Sequence, residues 1–446
     1  MPRALRSQCR ARRRQDHPAH GSRTVRRLGI SVLTLAIGAG FVVPGCGGKA
    51  KPIQIGLSLP LTDPAVLPMI RGADLALRQI NEAGGVNGRP LELVRRDDFG
   101  EPDSAVQVAA ELYASDVVAV IGSAYSGATI TAAPVYNGGR RPLVQLSPSA
   151  SSPVLSGAGD YTFRICATDL AYGAALAQFA YNKLRLTRAA VLYVNDEYGR
   201  GIRITFSEEF KRLGGEVVEA DPFLFEKPDV SPYLDRIRKE ARAQLLLIAA
   251  NQAEGIPVLS QVRGAKLGLP LLAGDGFVGI ESRDTLADGV YISSGYLPSA
   301  IGITNRTFVN AYRRAFPDAG LPDQGGAATY DAVRLIAAAI TEGGASRSGV
   351  RRALARVGNE EPSFDGVVGR IVFDSNGDVP SLGVRIGMAR GGGWSRRTET
   401  GWGRAGLLTE TLWHVLLPPP GGRFALSIRP AGHSRGSGSS RVPHFW

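Results

Sequence analysis

The chain has 446 residues, too many for one small core, and its 44% hydrophobic content is that of a globular protein. Its net charge of +12 belongs to the ends. Nine arginines face one acid in residues 1–45 and seven face two acids in 396–446, leaving the stretch between at −1 without a basic stripe interleaved with aromatics, which excludes nucleic acid as the main ligand.

At the N-terminus, Arg26-Arg27 precede an apolar run, Leu28–Val43, which stops at Pro44-Gly45-Cys46-Gly47-Gly48. A basic flank, a short apolar run and small residues make a secretory signal. Val43, Gly45 and Cys46 look like a bacterial lipobox with Cys46 as the acylated residue. The run is short for a membrane span of about 20 residues. Residues 1–45 are therefore expected to be a basic N-terminus and lipoprotein signal peptide, and 46–51 a linker. Two acyl chains on Cys46 would anchor the exported chain on the extracytoplasmic side of a bacterial membrane, in the periplasm or at the cell surface. Residues 1–24 sit ahead of a complete signal, so translation is expected to begin near Val25. With Cys9 removed and Cys46 acylated, Cys166 stands alone and no internal disulfide is expected.

From residue 51 strand and helix patterns alternate. Ile53–Leu59, Leu91–Val94, Val117–Ile121, Pro142–Leu146 and Tyr161–Cys166 read as strands, with helices predicted over Met69–Ile80, Pro102–Ala114 and the stretch after Ser126. A second series follows. Its strands are Ala189–Val194, Glu216–Phe223, Leu245–Ala250, Pro270–Ala273 and Val290–Ser293; its helices are Asp169–Leu184, Tyr198–Leu213, Ser231–Ala241 and Glu254–Lys266. Helices Thr307–Ala315, Gly326–Glu342 and Gly349–Val357 come next, and strands Val367–Phe373 and Val384–Ala389 close the body. Repeated βα units of this length make parallel sheets with right-handed crossovers, and there are enough units for two similar α/β lobes. Residues 394–446, rich in Gly, Arg, Pro and Ser, read as a disordered tail.

Two hydroxyl-rich loops stand out in the first series. Ser123-Ala124-Tyr125-Ser126-Gly127 and Ser147-Pro148-Ser149-Ala150-Ser151-Ser152 both follow strands, where an open parallel sheet binds ligands. Ser126 falls near a helix N-terminus, where free N–H groups favour an anion. Ordinary loop and cap chemistry is the competing reading of each loop taken alone. All five histidines lie outside residues 51–395, and no metal-ligand cluster or phosphate-binding loop spacing appears, so no enzyme, no metal and no cofactor is expected. Asp97-Asp98 read as solvated or capping acids.

In collinear order the body carries Asn81-Glu82-Ala83-Gly84-Gly85-Val86-Asn87-Gly88, Val120-Ile121-Gly122, Ser147-Pro148-Ser149-Ala150, Phe163-Arg164, Asn195-Asp196-Glu197-Tyr198-Gly199, Ala328-Thr329-Tyr330-Asp331-Ala332 and Phe364-Asp365-Gly366. These residues resemble the type 1 periplasmic binding proteins, and within them the branched-chain amino acid substrate-binding proteins of ABC importers. The resemblance implies an α/β fold of two similar lobes, each a parallel sheet flanked by helices. It places lobe 1 at 52–167 plus 297–379 and lobe 2 at 168–296 plus 380–393. Three hinge crossings are implied near Cys166–Asp169, Ser293–Leu297 and Asp378–Leu382. It further implies capture of a small molecule, an L-amino acid of branched-chain or hydrophobic type, in the interlobe cleft, and delivery to ABC permease subunits.

By the same resemblance Ser126 donates to the ligand carboxylate. Ser149, Ala150 and Ser151 serve carboxylate and ammonium, Asp275 is the ammonium partner, Asp169 is a second acid at the first crossing, and Tyr198 packs over the ligand. Asp169 is also readable as a helix cap, Tyr198 as core, Asp275 as a turn residue, and Tyr330 as either a ligand or a packing residue. Loop Pro60–Ile70 lacks the aromatic that relatives often carry, and Asn251 stands where a close relative has Tyr. A polar amino acid, an amide or an aromatic acid therefore remains open, as does a receptor of a signalling or regulatory system with such a ligand.

Overall fold

The computed structural model describes residues 50–395 except Arg283 and Asp284. The signal, Cys46 and residues 396–446 of the C-terminal tail lie outside the described residues, whereas Trp394 and Ser395, expected to open the tail, are held to the body by the Ala389–Trp394 bridge and by Ser395 N–H to the Met388 carbonyl at 2.8 Å.

Two sheets carry the fold. The first runs β2-β1-β3-β4-β5, with β1 Ile53–Leu59, β2 Leu91–Asp97, β3 Ala119–Gly122, β4 Val144–Ser147 and β5 Thr162–Arg164, all parallel. Helices α1 (Leu67–Glu82), α2 (Pro102–Ala114) and α3 (Ser126–Asn137) make its crossovers. The second repeats the order, with β6 Arg188–Val194, β7 Glu216–Phe223, β8 Leu245–Ala249, β9 Leu271–Ala273 and β10 Val290–Ser294 running β10-β9-β8-β6-β7. Before and between these strands lie α4 (Asp169–Gln178), α5 (Glu197–Arg212), α6 (Ser231–Arg236) and α7 (Gln252–Ala265).

The chain passes between lobes after β5, returns after β10 to α8 (Ile303–Ala315), α9 (Gln324–Gly343) and α10 (Arg347–Arg356), and crosses again after the hairpin β11 (Phe364–Asp365) and β12 (Arg370–Ile371). β13 (Arg385–Met388) then joins the second sheet antiparallel to β10. Helix α9 belongs with the first lobe, because Gly72 of α1 packs on it so closely that a Cβ would stand 2.1 Å from the Gly326 carbonyl oxygen.

Alternate residues of the central strands feed different cores. Ala189, Val191, Leu245 and Leu247 enter one cluster, and Ala190, Leu192, Leu246 and Ile248 another. A sheet covered on both faces needs such continuous apolar runs, which is why these strands read without alternation.

Three elements differ from expectation. The strand predicted over Val367–Phe373 is instead the short pair β11–β12, because the Gly366–Gly369 turn folds Val367 and Val368 back and the Val368 N–H donates to Asp331 Oδ2 at 2.9 Å. The helix predicted over Asp169–Leu184 leaves α geometry at Gln178 and closes in a wider π turn, Phe179–Lys183, sealed by Leu184 N–H to the Phe179 carbonyl at 3.0 Å. The helix predicted over Ser231–Ala241 does the same from Ile237.

Candidate functional site

The carboxyl ends of β1, β3 and β4 face those of β6, β8 and β9 across a cleft. It encloses about 640 Å³ of space, the solvent-open part included. Both sheets put their strand-order reversal here, between β1 and β3 and between β6 and β8, where open α/β sheets leave a crevice. The first lobe lines it with Ala65, Val66 and Met69 and with Tyr125, Ser126 and Ser149. The second lobe adds Tyr198, Asn251, Gln252, Asp275 and Val278, and the start of α9 contributes Asp323 and Gln324.

Ser126 is the first residue of α3, and no side chain caps that helix, so its opening N–H groups are the donors a helix N-terminus offers an anion. Its Oγ accepts from the Ser152 N–H at 3.2 Å, which leaves the hydroxyl proton to donate. Gly122 sets up this turn: its φ is +131°, and a Cβ would stand 1.9 Å from the Ser58 carbonyl oxygen. Two more hydroxyls tie the loops together. Ser149 Oγ donates to the Ala124 carbonyl at 2.7 Å, and Ser147 Oγ to the Ser123 carbonyl at 2.9 Å. Tyr125 pins the first loop, since its hydroxyl donates to Asp63 Oδ2 at 2.5 Å while Asp63 Oδ1 caps the turn at Ala65.

Ala150, Ser151 and Asp169 are fully buried and do not line the cleft. The cause is Arg164 at the end of β5. Its Nη1 donates to the carbonyls of Ala150 (3.3 Å) and Ser152 (2.8 Å), its Nη2 to Ser156 Oγ, and its Nε to Asp378 Oδ1 at 2.6 Å, so the second loop is drawn inward. The Asp169 N–H then donates to the Ser151 carbonyl at 2.9 Å. The Asp169 carboxyl is packed against Gly201 of α5, with the Ser151 hydroxyl beside it. Burial pushes the Asp169 pKa well up, with the Asp275 charge adding to it.

Asp275 opens the turn after β9. Oδ1 accepts from the Tyr198 hydroxyl at 3.0 Å, which itself accepts from the Gly276 N–H at 2.8 Å, and Oδ2 accepts from Gln324 Nε2 at 3.3 Å. Burial pushes its pKa up to about 7, against the hydrogen bonds from Tyr198 and Gln324. The wall beside it is Asn251, which forms a reciprocal cap with Glu254 on α7, and Asp323, which caps α9 by accepting from the Gly326 N–H at 2.8 Å.

Two sequence readings need correction or closing. Asp98 is not solvated: it is buried, accepting from Ser58 Oγ at 2.8 Å and from the Gly100 N–H at 3.0 Å, whereas Asp97 accepts from the Leu61 and Phe99 N–H groups as a turn acid. Tyr330 is a packing residue, with its ring 4.7 Å from Phe308 and its hydroxyl on Gln79 Oε1 at 2.8 Å. Among the described residues no group of three or more His, Cys, Asp or Glu is placed to hold a metal ion. No helix among them is long and apolar enough to cross a membrane.

Residues 52–393, which contain every element of this cleft, match the periplasmic binding protein family. The chain belongs to that family.

Among its relatives is the Leu/Ile/Val-binding protein homolog 1 of Brucella abortus, 26% identical over 341 residues that cover 74% of this chain and 89% of the relative. A leucine-, isoleucine-, valine-, threonine- and alanine-binding protein of Pseudomonas aeruginosa is 28% identical over 348 residues, 76% of this chain and 90% of its own. The branched-chain amino acid transporter substrate-binding protein LivJ of Streptococcus pneumoniae, solved with isoleucine, superposes with a TM-score of 0.70 at 26% identity, covering 77% of this chain and 98% of its own.

Sequence reasoning left Gln252, Asp323 and Gln324 out of the site. Asp323 carries a legible signal, an acid directly before a helix. Gln324 carries none, because its partner Asp275 lies on another lobe.

Proposed function

We propose that this chain is an extracytoplasmic solute-binding lipoprotein that captures an α-amino acid of branched-chain or hydrophobic type in the cleft and delivers it to an ABC importer. The observation that carries this reading is the polarity of the cleft. One end offers the uncapped N-terminus of α3 with the Ser126 hydroxyl, suited to a carboxylate, and the other offers Asp275, held by Tyr198 and suited to an ammonium. Ser149 fixes the loop that carries the first end. Ala65, Val66, Met69 and Val278 supply an apolar wall for an aliphatic side chain. In this reading Ala150, Ser151 and Asp169 act from behind the wall, shaping the serine loop. The names of the relatives support the same ligand class, and the lobes of 52–167 plus 297–379 and 168–296 plus 380–393 close over it about the three crossings. Acylation of Cys46 places the protein at the membrane that holds the permease.

Calorimetric titration of the purified chain, stripped of carried-over ligand by unfolding and refolding, tests this against the common L-amino acids. Tight binding of an aliphatic amino acid, weakened in Ser126→Ala and Asp275→Ala, is expected; folded protein that binds no α-amino acid would overturn the reading. Mass spectrometry of the mature N-terminus should find a diacylated Cys46, and an unmodified Cys46 in membrane-extracted protein would remove the anchor.

A further inference from the structure

Gln324 opens α9 and is 7% exposed. Its amide has one orientation. The Gly295 N–H donates to Oε1, and the Ser294 hydroxyl lies 3.1 Å from the same oxygen, so Nε2 is the end that faces Asp275 Oδ2. The three attachments belong to three parts of the fold. The backbone of Gln324 is fixed in the first lobe by the contact of α9 with α1, Asp275 follows β9 in the second lobe, and Ser294-Gly295 begin the second passage between them. Tyr198, the other donor to Asp275, comes from the second lobe itself.

We propose that Gln324 is a positioning residue for amine capture: from across the cleft it holds the Asp275 carboxylate ionised and aimed, and it ties that carboxylate to the second passage, so that ligand binding and lobe closure are coupled through one amide. The proposal rests on the reading of Asp275 as the acceptor for the ligand's ammonium. Asp275 raises the pKa values of Cys166 on the first passage, Asp169 and Tyr172 on α4 and Tyr198 on α5, and Asp323, directly before α9, lines the same cleft. None of these five is a cation, and the groups that favour the charged form of Asp275 are hydrogen-bond donors, Tyr198 and then Gln324. Burial has already brought its pKa up to about 7, and removing the Gln324 donor must raise it further.

The full chain is titrated with L-leucine, L-isoleucine, L-valine, L-threonine and L-alanine, each separately, from pH 5.5 to 8.5, as wild type, Gln324→Leu, Gln324→Glu and Asp275→Asn. Wild-type affinity is expected to fall as the pH drops below about 7, where Asp275 takes up its proton, and Asp275→Asn to lose that dependence. Gln324→Leu should bind at least tenfold more weakly at pH 8, with its midpoint moved to higher pH. The isosteric Gln324→Glu should be weaker again, because a second carboxylate replaces the donor. X-ray scattering adds the second arm: at equal saturation, the ligand-induced fall in radius of gyration should be smaller in Gln324→Leu. A folded Gln324→Leu with the wild-type midpoint would overturn the positioning role, and an equal fall in radius would overturn the tie to the passage. The same pH profile in wild type and Asp275→Asn, or no binding of any of the five, would instead break the underlying reading of Asp275.

Discussion

The two lobes share a strand order, 2-1-3-4-5 in each, and bring the same structural place to the cleft with opposite chemistry. The first lobe presents a helix N-terminus and hydroxyls that are held by one another's loops and by Arg164. The second presents one acid whose restraints are a tyrosine from its own lobe and a glutamine from the other. Topology places the cleft at the carboxyl ends of both sheets, and side chains set the chemistry that each lobe presents to it. The first half-site is rigid because its donors are built into a loop network. The second is conditional, because a buried carboxylate must choose between a proton and a cation.

This contrast can be broken from either side, and the largest effect should come from the scaffold of the first lobe. Arg164→Met strands Asp378, which accepts from Ser156 as well as Arg164, and releases the carbonyls of Ala150 and Ser152. Removing one partner of such a buried pair costs about 3–5 kcal/mol, to be read by urea unfolding; a loss below about 1 kcal/mol would mean that the pair behaves as an exposed one.

Next in size is Asp275→Asn, which should cost about 2–5 kcal/mol of amino acid binding at pH 8, with folding intact by circular dichroism. Unchanged affinity would make the second half-site a turn and nothing more. Ser126→Ala should be milder, about 1 kcal/mol or roughly fivefold in Kd, because the helix N–H groups remain. A loss as large as that of Asp275→Asn would erase the distinction between the two ends of the cleft.

The last effect is on ligand-free stability. Burial holds Asp275, Glu254, Glu281 and Asp331 up to about 7 and Asp323 up to about 6. Between the ordinary carboxylate range and these values the folded chain binds more protons than the unfolded one, so stability is greatest on the acid side and is lost as pH rises towards 7. The melting temperature should therefore be higher at pH 5.5 than at pH 8, and Asp275→Asn should shrink the difference. A melting temperature that rises with pH would show that these acids are compensated in the folded state.

The pattern of apolar runs, glycines and turn residues determined the βα repeat, both hydroxyl loops and the place of Ser126, because a helix N-terminus and a strand end are local events. It did not separate Ser149, which reaches the cleft, from Ala150 and Ser151, which turn away, since that depends on Arg164 drawing in the carbonyls of a loop some 12 residues earlier. Nor did it reveal that Asp98 is buried, or that Val367–Phe373 turns over Asp331 instead of running as a strand. Gln324 stood next to a recognisable helix cap with no mark of its own. Only the packing of α9 on α1, and the return of the chain through Gly295, bring its amide to a carboxylate 49 residues away on the other lobe. Periodicity and turn chemistry act over a few residues, whereas the pairing of a donor with a buried charge is decided where two lobes meet.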